Sequence, residues 1–487
     1  MIDGLSSLLW LALGLASIEG VGYSLLVVLL PLHSGFTSLE RFSLGFGLGL
    51  LALTMWMLTL SFWGIAFGLG WILGPWIVGL GPGLLLNSRR LLWQHDLRWL
   101  KTMGWKLLTL GYGTGWTAIE RALLALLILT FGFALLRATL YPMWAWDAVT
   151  IWGLKAKAFY LGGRIDLAGF EAHNYYPNLV PLGMAYLYLW LGGVIDHLVK
   201  ALFPLWGGCL VLIFYSLLRR LEVERREALL GSAFLMLNGL TLITHLFIAY
   251  ADLALTYYTL ITAGLLLLWL KEEAPKGSML LVGIFSGGML WSKYEGEPLA
   301  LINFLAAVIT LFWLRPPAPG RKLASVAGAG LISLLFFLPW RYFCLIEQMD
   351  IGVGHLCGFF PAQLGQGLVF LLKALVWPPY FGILWPVVFL ALVWQGRDTL
   401  ASPGLFLILV TLGNLAAVVL GYALVPASAA EFPWYMLATI DRLLLHVAPA
   451  SGLLLAVPLT SRMGDIPILA PFNFFPRHCL GQTLKGR

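Results

Sequence analysis

Charge is what this sequence lacks most. Asp, Glu, Lys and Arg make up 11% of its 487 residues, where a soluble domain carries about 25%. That scarcity excludes a soluble globular enzyme, a disordered chain and a collagen-like fibre. Cysteine is scarce as well. Cys209, Cys344, Cys357 and Cys479 form no CxxC pair and no metal-ligand spacing. The first 40 residues contain no Lys or Arg, so no cleavable signal peptide with a charged n-region is expected. No segment alternates apolar and polar residues as a barrel strand would. No soluble domain or low-complexity linker is visible either.

What is present is apolar. Ala, Val, Ile, Leu, Met, Phe, Trp, Tyr and Cys make up 60% of the chain, and the mean hydropathy is +0.88. An apolar run of about 20 residues spans a bilayer as a helix. The expected fold is therefore all-α: a polytopic membrane protein with about 13 transmembrane helices. They fall at roughly 5–31, 42–60, 61–80, 117–140, 199–218, 228–249, 253–270, 277–291, 298–314, 323–340, 366–388, 403–425 and 441–460. A long first outer loop carries short interfacial helices.

The net charge of +7 invites a nucleic-acid reading, but the positions of the basic residues argue otherwise. Twenty of the 30 Lys and Arg fall in the loops 81–106, 219–227, 271–276 and 315–322, in the tail, and at Arg41 and Arg397. Loops rich in Lys and Arg stay cytoplasmic, so these loops and the tail are expected inside. Alternation of crossings then leaves one apolar stretch too many between 141 and 219. The stretch 178–195, which follows a Pro-bearing motif and ends in Gly-Gly, is expected to dip into the membrane without crossing it. The opposite face collects twelve acids against seven bases. The segment GYGTG at 111–115 lacks a strand-helix unit and reads as a hinge.

Short motifs in four segments share the acidic outer face. In YPMWAWDAVTIWGLKAKAFY (141–160), Asp147 lies just beyond a helix end among Trp144, Trp146 and Trp152. A carboxylate between low-dielectric walls has a raised pKa and can take a proton. The tryptophans serve as interfacial belt residues or stack on sugar rings. Lys155 and Lys157 face a phosphate or anchor to lipid headgroups, and 151–163 reads as a short amphipathic helix on the membrane. The same loop ends in HNYYPNLVP (173–181), where His173 and Tyr176 either bind substrate hydroxyls or form a helix-starting turn. YAD at 250–252 sets Asp252 between two long helices, where a charge is paired or functional. In WSKYEGEP (291–298), Lys293 pairs with Glu295 or holds a lipid phosphate as a point charge. In TIDRLLLHVAP (439–449), Asp441 and Arg442 open the last helix, with His446 one turn below. Arg442 suits a bidentate grip on phosphate, or snorkels to the interface.

These motifs resemble the GT-C superfamily of integral-membrane glycosyltransferases, which includes protein O-mannosyltransferases and the lipid A aminoarabinose transferase. The resemblance rests on WDAVTIWGLKAK at Asp147, the His-x-x-Tyr-Pro element at His173, Tyr176 and Pro177, YAD at Asp252, KYEG at Lys293, and DRLLLHVAP at Asp441. It covers residues 117–460 as the catalytic core. Residues 1–116 are N-terminal membrane helices with a basic loop, and 461–487 form a cytoplasmic tail. The related form HxDYP has an Asp where Tyr175 stands, and no outer loop holds an Asp-x-Asp pair.

The resemblance implies transfer of a sugar from a polyprenyl-phosphate-linked donor to a glycan, lipid or protein acceptor. Asp147 would be the general base of an inverting displacement, with Arg442 and Lys293 stabilising the leaving phosphate. Trp146, Lys155, His173, Tyr176, Asp252, Glu295, Asp441 and His446 complete the expected substrate-binding set. No cofactor, metal ligand or nucleic-acid partner is called for, and a divalent metal stays open. The expected location is a bacterial plasma membrane, with the site facing the periplasm and membrane lipids as partners. Two rivals remain. One is a transporter or flippase of a lipid-linked sugar. The other is a surface-polysaccharide polymerase or ligase, for which Arg341 and His355 are the pertinent residues. Cys344 and Cys357 share one expected outer loop and are either a disulfide or two thiols.

Overall fold

Glycine lets the first two helices touch. A methyl group on Gly22 would lie 1.8 Å from the Gly45 carbonyl oxygen, and one on Gly49 would lie 1.9 Å from that of Ile18. Helices Gly4–Leu29 and Ser38–Phe62 therefore cross backbone to backbone, the arrangement small residues permit in an apolar solvent. Glu19 is caught in this crossing beside Gly45, and its Oε1 is buried without a hydrogen-bond partner among the described residues.

The computed structural model describes residues 4–456, apart from 86, 114, 168, 171–172, 350–357 and 429. The tail expected over 461–487, His355 and Cys357 lie outside the described residues, and the expected Cys344–Cys357 alternative lies there with them. Among the described residues every regular element is helical. Among the described residues nine helices are long and apolar enough to cross a membrane.

Against the expected 13 or so spans, these nine leave the remainder to shorter helices. Five further apolar helices are only 10–17 residues long, and 13 residues of helix reach about 20 Å against a hydrocarbon core of about 30 Å. Two expected spans are interrupted. The stretch 228–249 forms helix Arg225–Leu237 and then the short helix Thr241–His245. The stretch 366–388 divides into Pro361–Val376, Pro378–Phe381 and Leu384–Leu400. The cause is local chemistry. Gly239 takes φ 109, and Pro378 and Pro379 supply no backbone donors. The two breaks then satisfy one another. Leu240 N–H donates to Pro379 O at 2.7 Å. Asn238 Nδ2 donates to Phe381 O at 2.5 Å, and Asn238 Oδ1 accepts from Ile383 N–H at 3.1 Å. Backbone groups freed inside an apolar slab need such partners.

The basic stretch 81–106, expected as a loop, contains helix Asn87–Leu108. Its Asp96 is fully buried and binds Arg41 through two bonds of 2.6 Å, with Ser38 and Tyr23 donating as well. The stretch 178–195 forms helix Leu179–Leu191, which ends at Gly192 in a left-handed turn.

Helix Asp252–Leu270 is the axis of the bundle: every residue except Trp269 is buried. Its Tyr257 and Tyr258 hydroxyls donate to Ser43 O at 2.6 Å and Gly47 O at 2.8 Å. The polar contacts then divide between two ends. At one end the basic segments meet through Arg41–Asp96, Arg220–Glu40, Arg225–Glu120 and Lys322–Glu272. At the other, Asp147 meets Arg442, Asp252 meets Lys293, and Glu297 meets Arg341. Helix Ser38–Phe62 links them, with Arg41 near its start and Ser61 Oγ accepting from Ile165 N–H near its finish. Its 25 residues separate the ends by about 37 Å.

Candidate functional site

The site is built where four separated segments reach the Asp147 end. Asp147 follows helix Ala118–Leu140 and precedes a π-helical turn, Ala148–Trp152, that runs into helix Gly153–Gly162. Its backbone N–H donates to the Tyr250 hydroxyl at 3.3 Å. Its carboxylate accepts from Arg442 Nη1. The Arg442 guanidinium in turn lies over the Tyr250 ring, 5.2 Å from its centroid. Arg442, Asp147 and Tyr250 thus fix one another, each from a different motif.

Below this triangle lies a closed ion network. Asp252 opens its helix, where a carboxylate also meets the positive end of the helix dipole. Its Oδ1 accepts from Lys293 Nζ at 2.9 Å and lies 2.9 Å from His446 Nε2. Lys293 reaches Glu295 at 2.8 Å as well. Burial works against the Lys293 charge, yet Asp252 and Glu295 outweigh it and hold the ammonium above its ordinary pKa. Burial likewise raises Glu295, but Lys293 and His446 prevail and keep it below the carboxylate range. Asp252 is wholly inaccessible, whereas the Asp147 side chain keeps 21% exposure. The Glu295 side chain keeps 26%, so Asp147 and Glu295 are partly open and Asp252 is closed.

An aromatic wall flanks the network. His173 stacks on Tyr176 with centroids 4.8 Å apart, and Tyr176 stacks on Trp152 at 5.7 Å. Tyr175 meets Tyr176 and Tyr294 edge-on. Trp340 Nε1 donates to Tyr175 O at 3.0 Å. Tyr176 and Tyr435 both stand within electrostatic reach of Glu295 and Arg442. Trp146 and Trp434, the neighbours of Asp147 and Tyr435 in sequence, are exposed at 77% and 74%.

Of the residues singled out by sequence, Asp147, Tyr176, Asp252, Lys293, Glu295, Asp441, Arg442 and His446 come together here. Trp146 is exposed. Lys155 does neither thing expected of it. It is fully buried, and Nζ donates to the His173 carbonyl at 2.5 Å, so it braces the loop from within. Burial pushes its ammonium down to about 7. Trp152 is likewise packed inside, at 1% exposure, and is not an interfacial belt residue. Lys293 spends its charge on two carboxylates. Sequence reasoning missed His245, a lone histidine in the apolar stretch LITHLFIAY. It is buried edge-on against the Tyr250 ring at 5.9 Å. Its position after the break at Gly239 gives it this place, and only a lone histidine in an apolar run hinted at it.

The arrangement offers a partly exposed carboxylate, Asp147, with a guanidinium beside it and exposed tryptophans at Trp146 and Trp434. Among the described residues no group of three His, Cys, Asp or Glu is set to hold a metal ion. No protein-family model and no curated protein matches the chain.

Proposed function

We propose that the protein is a membrane glycosyltransferase that takes a sugar from a polyprenyl-phosphate donor. The observation that carries this reading is the Asp147–Arg442 pair: a partly exposed carboxylate and a cation side by side, next to the Asp252–Lys293–Glu295 network. Asp147 removes the proton from an acceptor hydroxyl of a glycan, lipid or protein. That oxygen attacks the anomeric carbon while the bond to the phosphate oxygen breaks, and its electron pair leaves with the phosphate. The configuration inverts, so one reacting carboxylate suffices. Arg442 Nε is buried with no partner among the described residues. It is the donor available to the developing phosphate charge. Trp146 and Trp434 suit stacking on sugar rings.

The GT-C resemblance of the motifs supports the same reading, with 117–460 as the core. Helix Leu179–Leu191, too short to cross, fits the non-crossing stretch that follows the first outer loop. The basic segments would then face the cytoplasm and the Asp147 end the periplasm of a bacterial inner membrane. The test is transfer assayed with polyprenyl-phosphate sugars extracted from the protein's own membranes. Asp147→Asn should abolish it while the protein elutes as a folded monodisperse species. Wild-type turnover in that variant would sink the assignment.

A second reading has one observation in its favour. Transporters place broken helices at their binding sites, and two interrupted helices meet at Asn238. A reconstituted vesicle assay separates the two: a transporter moves an intact lipid-linked sugar, whereas a transferase changes its mass.

A further inference from the structure

His245 sits at the end of the short helix Thr241–His245 and is 2% exposed. Its Nδ1 lies 2.8 Å from the Thr241 carbonyl. A carbonyl oxygen only accepts, so Nδ1 carries a proton, and in the neutral ring Nε2 presents a lone pair. That Nε2 is buried with no partner among the described residues. Asp252, Asp441 and Arg442 all lie within electrostatic reach of the ring.

Nε2 is not alone in this state. Asp252 Oδ2, Glu295 Oε2 and Arg442 Nε are also buried without partners among the described residues. Asp252 and Glu295 share Lys293, so their open oxygens belong to one place. The set holds three acceptors and one donor. Buried polar groups are nearly always satisfied in a working protein. A phosphate brings only acceptors at neutral pH and would serve Arg442 Nε alone. A polyhydroxylated ring brings O–H donors for the acceptors and lone pairs for the guanidinium.

We propose that His245 is a substrate-binding residue whose Nε2 accepts a hydrogen bond from a hydroxyl of the donor's sugar. This rests on the transferase reading. The sugar hydroxyls fill the Asp252, Glu295 and His245 acceptors, while the lipid phosphate takes Arg442. Tyr250 holds the imidazole edge-on and ties it to Asp147 through its hydroxyl.

Two variants separate binding from structure. In His245→Asn, the side-chain amide can still donate to Thr241, but nothing remains at the Nε2 position. In His245→Gln, the longer amide restores an acceptor there and gives up the Thr241 bond. Binding is read by native mass spectrometry of the full chain in detergent. The probes are polyprenyl-phosphate lipids extracted from its own membranes, with and without an attached sugar. Wild type should favour the sugar-bearing lipid about tenfold or more, as one well-made hydrogen bond to substrate allows. His245→Asn should lose that preference with its thermal midpoint unchanged, and raise KM for the lipid-linked sugar. His245→Gln should retain most of the preference. Wild-type preference in His245→Asn, or loss confined to His245→Gln with a lowered midpoint, overturns the proposal and leaves the transferase reading standing. A wild type that treats the two lipid classes alike overturns both.

Discussion

Arg442 donates to the carboxylate of Asp147 across 295 residues of sequence. One residue follows the fifth long helix and the other lies in the last. The pair ties the segment after helix Ala118–Leu140 to the last helix, and the Tyr250 ring beside Arg442 holds the guanidinium. This joint fixes the direction of the Asp147 carboxylate.

Replacing either partner should therefore affect turnover differently from folding. A positioned general base contributes about 10²- to 10⁴-fold, so Asp147→Asn should lower kcat by at least that range. Arg442→Lys keeps the charge but removes the planar fork and the Nε donor. It should cost at least about tenfold in kcat/KM. Steady-state rates on the purified variants check both, and a kinetically silent Arg442→Lys would remove Arg442 from the phosphate role.

Lys293 is the counterion of two buried acids. Lys293→Met takes the ammonium away from Asp252 and Glu295, and breaking a buried pair on one side costs about 3–5 kcal/mol. The thermal midpoint in detergent, followed by tryptophan fluorescence, should fall sharply. Adding Asp252→Asn to that variant should recover part of the loss, since the uncompensated charge disappears. A double variant no better than the single one would show that the network is held by something other than charge.

Lys155 gives a pH dependence with a definite sign. Its folded pKa is lowered to about 7 by burial, against about 10.4 for an exposed lysine. Above about pH 7 the unfolded chain binds the proton that the folded one has lost, so stability contributed by this group rises with pH. The penalty is full below about 7 and is relieved towards about 10. Lys155→Met should thus raise the midpoint most at pH 6. Its advantage should shrink as pH rises to 9. A pH-independent difference would place the ammonium in contact with water.

Gly239 holds the junction between the two interrupted helices. A methyl group there would lie 2.2 Å from the Tyr380 carbonyl oxygen, and φ is 109. Gly239→Ala should lower the midpoint and increase proteolysis near 238–240 and 377–383. An equivalent change at Gly104, which has open space around it, should leave both unchanged.

The sequence by itself determined the solvent and the sorting of charge. Low charge and long apolar runs force helices, because every backbone donor must be satisfied within its own segment. The clustering of bases in some loops and acids in others foretold the separate ends that the ion pairs draw, Arg41–Asp96 at one and Asp147–Arg442 at the other. Short motifs likewise named most residues of the candidate site. Tertiary structure alone decided which of them meet. It put Lys155 under His173 and brought His245 into the site. It also broke two expected spans at Asn238 and Pro378, because the two breaks complete each other's hydrogen bonds. Such pairings join groups far apart in the chain, and composition or periodicity along one segment carries no record of the partner. The first quantity, a chain with little charge, fixed where helices form. Which few charges neutralise each other, and which stay partly exposed, depended on how those helices packed.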